Sequence, residues 1–210
     1  NDVASLEVDR NGRLFYRCEP PAKNINDAQA AAEWREAMSE SADFPATVPV
    51  SQPPIYHSRP GAKAVLYLDF NGHIITGTAW NTTVSSYTAR PFNTDTDATT
   101  FSTAEQVAIR MIFQRVAEDF RPFDIDITTE EPSAFGLTTA RVLITTATDA
   151  NNVAMPHANA GGVAYLDVFG DPEFPYYSPA LVYANNLSWD AANIAEAASH
   201  EMGHNLSLSH

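Results

Sequence analysis

Apolar and polar positions along this chain change period several times, and each change marks an element. Ser5 to Asp9 and Arg13 to Cys18 are short strand-like runs separated by Asn11-Gly12, a pair that favours a tight hairpin turn. Asn26 to Ser39 is Ala-rich, carries Trp34 and Met38 four apart, and predicts a helix. Between Ser41 and Pro60, Pro45, Pro49, Pro53, Pro54 and Pro60 interrupt regular structure and predict a linker. Ala64 to Phe70 is a compact apolar strand that runs into an Asn71-Gly72-His73 turn, and the polar stretch 76–100 predicts a loop with a short edge strand.

Ser102-Thr103-Ala104-Glu105 fits a capping box, which predicts a helix to about Phe120 with Ala108, Ile112 and Val116 inward. Phe123 to Thr128 alternates strictly, the pattern of a strand with one buried face. Arg141 to Thr146, Gly162 to Phe169 and Leu181 to Asn185 predict three further strands, and a long helix starts at Asp190. The order implies an α+β fold in which a mixed sheet carries helices on one side.

Composition sets the bounds on this picture. With 210 residues, 44% of them hydrophobic, the chain can bury one main core beside an appendage. The punctuation divides it into an N-terminal region 1–40, a Pro-rich linker 41–60 and a main domain 61–210. A formal net charge of −14 disfavours nucleic acid and anionic membranes and favours metal cations. Calcium (Ca2+) is a candidate companion ion, although no EF-hand-like loop occurs and no ligands are assigned to it. A single cysteine, Cys18, excludes an internal disulfide. No apolar run is long enough to span a bilayer, and residues 1–20 lack the features of a signal peptide.

The chemistry concentrates at the end of the last helix, in His200-Glu201-Met202-Gly203-His204-Asn205-Leu206-Ser207-Leu208-Ser209-His210. Histidines four apart on a helix project from one face and can grip a single ion. Neutral imidazoles suit zinc (Zn2+), and a catalytic zinc takes three protein ligands and keeps a fourth position open. His200, His204 and His210 supply the three. Glu201, beside the first ligand, is placed to act as general base on the water that zinc activates. For His210 to reach back, the helix must end soon after His204 and the chain must turn sharply.

The pattern H-E-x-x-H-x-x-G-x-x-H resembles the metzincin zinc peptidases, with Ser207 at the glycine position. The resemblance implies a long active-site helix, a left-handed turn at residue 207 and a zinc endopeptidase mechanism. Serine in that turn costs roughly 1 to 2 kcal/mol, unless Asn205 takes the left-handed position instead. The four methionines are Met38, Met111, Met155 and Met202, so the methionine turn that follows the third histidine in the family is not in these residues. The sequence therefore reads as a fragment of a longer polypeptide, expected to bind zinc weakly and to hydrolyse peptides poorly.

The runs Val65 to His73, Arg115 to Phe123 and Glu196 to Glu201 are similar to those of secreted bacterial metzincin-type metalloproteases. The likeness covers residues 60–210. It implies secretion, a protein or peptide substrate, a monomer, and a propeptide (zymogen) region ahead of the linker. Arg17-Cys18-Glu19-Pro20-Pro21 faintly resembles the matrix metalloprotease switch, in which a propeptide thiolate fills zinc's fourth position. The competing reading of Cys18 is a small buried thiol in a hairpin.

His57, His73 and His157 lack a partner at ligand spacing and are expected to be ordinary imidazoles. Gly161 to Tyr165 is either an edge strand against which substrate pairs or an ordinary strand start. The aromatics Phe169, Phe174, Tyr176 and Tyr177 are expected to pack a loop. Two rivals to the peptidase remain: a noncatalytic adhesion or interaction module with a structural zinc, and a zinc amidase acting on something other than protein.

Overall fold

The structure, a computed structural model, describes residues 5–20 and 27–210. Asn26, expected to open the first helix, and Pro21 of the cysteine motif lie outside the described residues. Strands are β1 (Leu6–Val8), β2 (Leu14–Cys18), β3 (Thr47–Pro49), β4 (Ala64–Asp69), β5 (His73–Thr76), β6 (Ser86–Ala89), β7 (Thr100–Ser102), β8 (Ile125–Thr128), β9 (Thr139–Thr145), β10 (Gly162–Tyr165) and β11 (Ala180–Tyr183). Helices are α1 (Asp27–Ser39), α2 (Thr103–Asp119) and α3 (Ala191–Asn205). The architecture is mixed α+β.

One seven-stranded sheet in the order β1-β2-β10-β11-β9-β4-β8 organises the chain. β11, β9, β4 and β8 are parallel, whereas β10 runs antiparallel to β11 and β2 antiparallel to β10. Parallel strands covered on both faces read as near-continuous apolar runs, which is why Leu66, Leu68, Val142, Ile144, Leu181 and Val182 are fully enclosed. α2 and α3 pack on each other, with α3 against β9, β10 and β11 and α2 against β8. No helix among the described residues is long and apolar enough to cross a membrane.

Local signals account for the helix starts. Ser102 and Glu105 close both halves of the capping box, and Ala108, Ile112 and Val116 face inward as their spacing requires. Asp190 caps α3 by accepting from the Asn193 N–H at 2.9 Å.

Three expectations change. The N-terminal hairpin is not a separate piece, because β2 is hydrogen-bonded into the main sheet through β10. The linker is not wholly irregular: β3 pairs with β7, and Pro49 is tolerated at the strand's end. The polar stretch after residue 76 does hold a short strand as expected, β6, which pairs with β5 as a hairpin. Gly72 serves that hairpin, since at φ +84° a Cβ there would meet the Ala89 carbonyl oxygen at 2.7 Å. Finally, β8 is buried at all of its positions rather than on one face. Asp126 tolerates burial because its carboxylate accepts from the Ser58 and Arg59 amides at 3.0 and 2.8 Å and pairs with His57 Nδ1 at 2.7 Å.

Candidate metal centre

α3 delivers His200, Glu201 and His204 along one helix, and the chain then reverses at Ser207, where φ is +74°. The reversal is a Schellman motif. Leu208 N–H donates to the Gly203 carbonyl at 2.9 Å and Ser207 N–H to the His204 carbonyl at 3.1 Å. Ser207 thus takes the left-handed position itself, and its hydroxyl bonds the Asp167 carboxylate. Asn205 stays helical and buried, its side-chain amide donating to the Tyr165 carbonyl at 2.7 Å. The adjoining loop completes the helix end: Asp167 N–H donates to the His204 carbonyl, and Val168 and Phe169 N–H to that of Asn205.

This turn brings His210 back onto the helix. His200 Nε2 lies 2.8 Å from His210 Nε2 and 3.0 Å from His204 Nε2. Cys18 Sγ joins them from β2, at 3.3 Å from His204 Nε2 and 3.8 Å from His210 Nε2. Zinc–nitrogen and zinc–sulfur bonds set tetrahedral edges of about 3.3 to 3.6 Å. The four separations straddle that range, and all four ligand atoms lie within 4.8 Å of one another, so the Cys/His₃ cluster could hold a metal ion. No other group of three or more converging His, Cys, Asp or Glu occurs among the described residues.

The surroundings favour the ligand form of the histidines. His204 Nδ1 faces the Leu208 carbonyl at 2.8 Å, which fixes its proton there and leaves the Nε2 lone pair aimed into the cluster. Burial, together with the charges His200 and His210 would carry, brings its pKa down to about 4. His200 is lowered as well, by burial and by His210. Tyr16 roofs the cluster, its ring stacked on His204 at 4.3 Å and tilted on His210 at 4.6 Å.

Glu201 is fully buried, and its carboxylate oxygens have no partner beyond the adjoining Cys18 thiol. Burial holds its pKa well above the ordinary carboxylate range, offset only in part by the adjoining Cys18 thiol. The thiol's pKa is raised in turn, first by its own burial and then by the Glu201 charge. A cation among the histidines reverses both tendencies, because it stabilises thiolate and carboxylate alike. A cleft of about 190 Å³ opens beside the pair, lined by Gly161, Gly162, Leu187, Ala197 and His200.

The other histidines lie outside the cluster. His157 packs on Phe15 at 4.8 Å, and burial lowers His73 to about 4. His57 is less ordinary than its sequence suggests, held between Asp126 and Glu130 at 2.7 and 2.9 Å. Phe169, Phe174, Tyr176 and Tyr177 pack a loop as expected, with Phe169 against Phe174 at 5.3 Å. Two larger clefts, of about 390 and 420 Å³, flank α1 and hold no converging ligand set.

Two contributors escaped sequence reading. Tyr16 shares a strand face with Cys18 two residues on, a period-2 relation that could have flagged it. Gly162 lies directly against Glu201, and only the Gly161-Gly162 pair hinted at close packing there. Comparison of the chain with protein-family models, with curated proteins and with solved structures returned no match in any of the three.

Proposed function

We propose that the chain is a secreted zinc-dependent endopeptidase of metzincin type, held latent by its own N-terminal hairpin. The observation that carries this reading is Glu201: a fully buried carboxyl group next in sequence to the first histidine of the cluster, with no hydrogen-bond partner beyond the adjoining Cys18 thiol. Leaving such a group unsatisfied costs several kcal/mol, a burden that a purely structural site has no reason to bear.

His200, His204 and His210 would hold the ion and Cys18 would fill the remaining position. When bound, zinc supplies a Lewis acid that polarises a carbonyl and lowers the pKa of water to about 7. Glu201 would be the group that holds the proton on its way from the attacking water to the leaving amine. Gly162 lies directly against the Glu201 carboxylate and confines it beside Cys18. Tyr16 and Cys18 cover the site, so turnover requires β2 to withdraw.

One observation favours a second reading. Cys18 closes the ligand set, and closed four-ligand sets are characteristic of structural zinc, as in a noncatalytic interaction module. Peptide hydrolysis by the zinc-loaded chain separates the two. In the peptidase, Cys18→Ser raises the rate and the added Glu201→Gln abolishes the gain while zinc stays bound. Equal rates for the single and double variants would contradict it.

A further inference from the structure

β2 occupies a place on β10 that any extended peptide could share. Its register is antiparallel, with Cys18 opposite Gly162, Tyr16 opposite Ala164 and Phe15 opposite Tyr165. Part of the attachment is backbone and therefore independent of sequence, such as Gly161 N–H to the Cys18 carbonyl at 2.7 Å and Leu166 N–H to the Leu14 carbonyl at 2.9 Å. The side chains alternate: Tyr16 and Cys18 face the histidine cluster, while Phe15 enters the opposite side of the sheet.

There Phe15 is 5% exposed and meets three rings, His157 at 4.8 Å, Tyr165 at 5.5 Å and Trp80 at 6.0 Å between centroids. The Phe15–Trp80 pair is edge-on, at an interplanar angle of 81°, a geometry that favours an aromatic occupant over an aliphatic one. The walls have partners outside the hairpin as well as within it, where the Tyr165 hydroxyl donates to Asp9 at 3.3 Å and His157 Nδ1 lies 3.8 Å from Glu7. Trp80 Nε1 donates to the Pro179 carbonyl at 2.9 Å, and Tyr165 packs on Tyr177 at 4.8 Å. Trp80, His157 and Tyr165 themselves all lie outside the hairpin in sequence, and Phe15 is the occupant of the socket they form.

We infer that the β10 edge beneath β2 is a peptide-binding edge whose Trp80–His157–Tyr165 socket selects strands with an aromatic residue three positions before the one facing the metal cluster. This rests on reading β2 as a displaceable occupant of a peptide cleft. It adds the substrate class: extended peptides bearing Phe, Tyr or Trp at that place.

The test needs neither zinc nor turnover. Cys18 is the chain's only cysteine, so its reaction with Ellman's reagent reports withdrawal of β2. The hosts are the full chain carrying Phe15→Ala and, in case that variant does not fold, the full chain carrying Phe15→Leu, both in chelator. The probes are two acetylated peptide amides, Leu-Phe-Tyr-Arg-Ser and Leu-Ala-Tyr-Arg-Ser. The Phe peptide should accelerate Cys18 labelling saturably, at about tenfold lower concentration than the Ala peptide. Equal potency, or no acceleration by either, overturns the inference. A chain that shows the preference but hydrolyses nothing loses only the peptidase reading, and one that hydrolyses peptides without the preference loses only the socket.

Discussion

Gly162 and Glu201 are packed so closely that a Cβ on residue 162 would lie 2.4 Å from Glu201 Oε1 and 2.6 Å from its Cγ. No side chain fits between β10 and the carboxylate. Gly162→Ala should therefore push Glu201 aside or force β10 away from α3. Overpacking of this kind costs about 1 to 3 kcal/mol. The expected outcome is a lower Tm with zinc affinity retained, measured by thermal unfolding and equilibrium dialysis. An unchanged Tm would mean that the contact relaxes freely.

Glu201→Gln keeps the shape and removes the base. On the peptidase reading, turnover in the Cys18→Ser background falls by about 10²- to 10⁴-fold, the usual contribution of general acid–base catalysis. Bound zinc, counted by atomic absorption, stays the same.

Asp69 and Arg141 form an enclosed ion pair across β4 and β9, and Arg141 also reaches Glu131 at 2.8 Å. Burial raises the Asp69 pKa to about 6 in spite of the opposing Arg141 charge. Removing one partner of such a pair costs about 3 to 5 kcal/mol. Arg141→Met should show that loss in urea unfolding, and adding Asp69→Asn should restore part of it. A loss below about 1 kcal/mol would place the pair among weak surface bridges.

His57 gives the fold a pH dependence. Burial works against its charged form, but hydrogen bonds to Asp126 and Glu130 outweigh this and raise its pKa above the ordinary 6.5. Its contribution is thus complete below pH 6.5 and is lost as pH rises through the raised folded value. The Tm difference between the wild-type chain and His57→Gln should shrink from pH 6 to pH 8.5. A difference that grows over that range would reverse the sign.

The periodic elements were legible because local physics decides them. The Ser102–Glu105 box and the Asp190 cap start helices wherever an inward apolar stripe follows, and both helices stand where their signals put them. The cluster was legible too, since the spacing of His200 and His204 fixes a shared helix face. What stayed hidden depends on partners distant in sequence. That β2 would join β10, that Tyr16 would roof the histidines and that Asp126 could be buried all follow from contacts across more than sixty residues. At Ser207 the sequence left two outcomes open. The structure selects the strained one, because Asn205 is needed to bond the Tyr165 carbonyl.

The central claim is that Cys18, His200, His204 and His210 bind one metal ion together. Cobalt(II) titration of the reduced chain, followed by visible spectroscopy, tests it most directly. One equivalent should bind, with a tetrahedral spectrum and a thiolate-to-cobalt charge-transfer band. That band should vanish in Cys18→Ser while the ion stays bound, and His204→Ala should abolish tight binding. No stoichiometric binding, or a spectrum indifferent to Cys18→Ser, would contradict it.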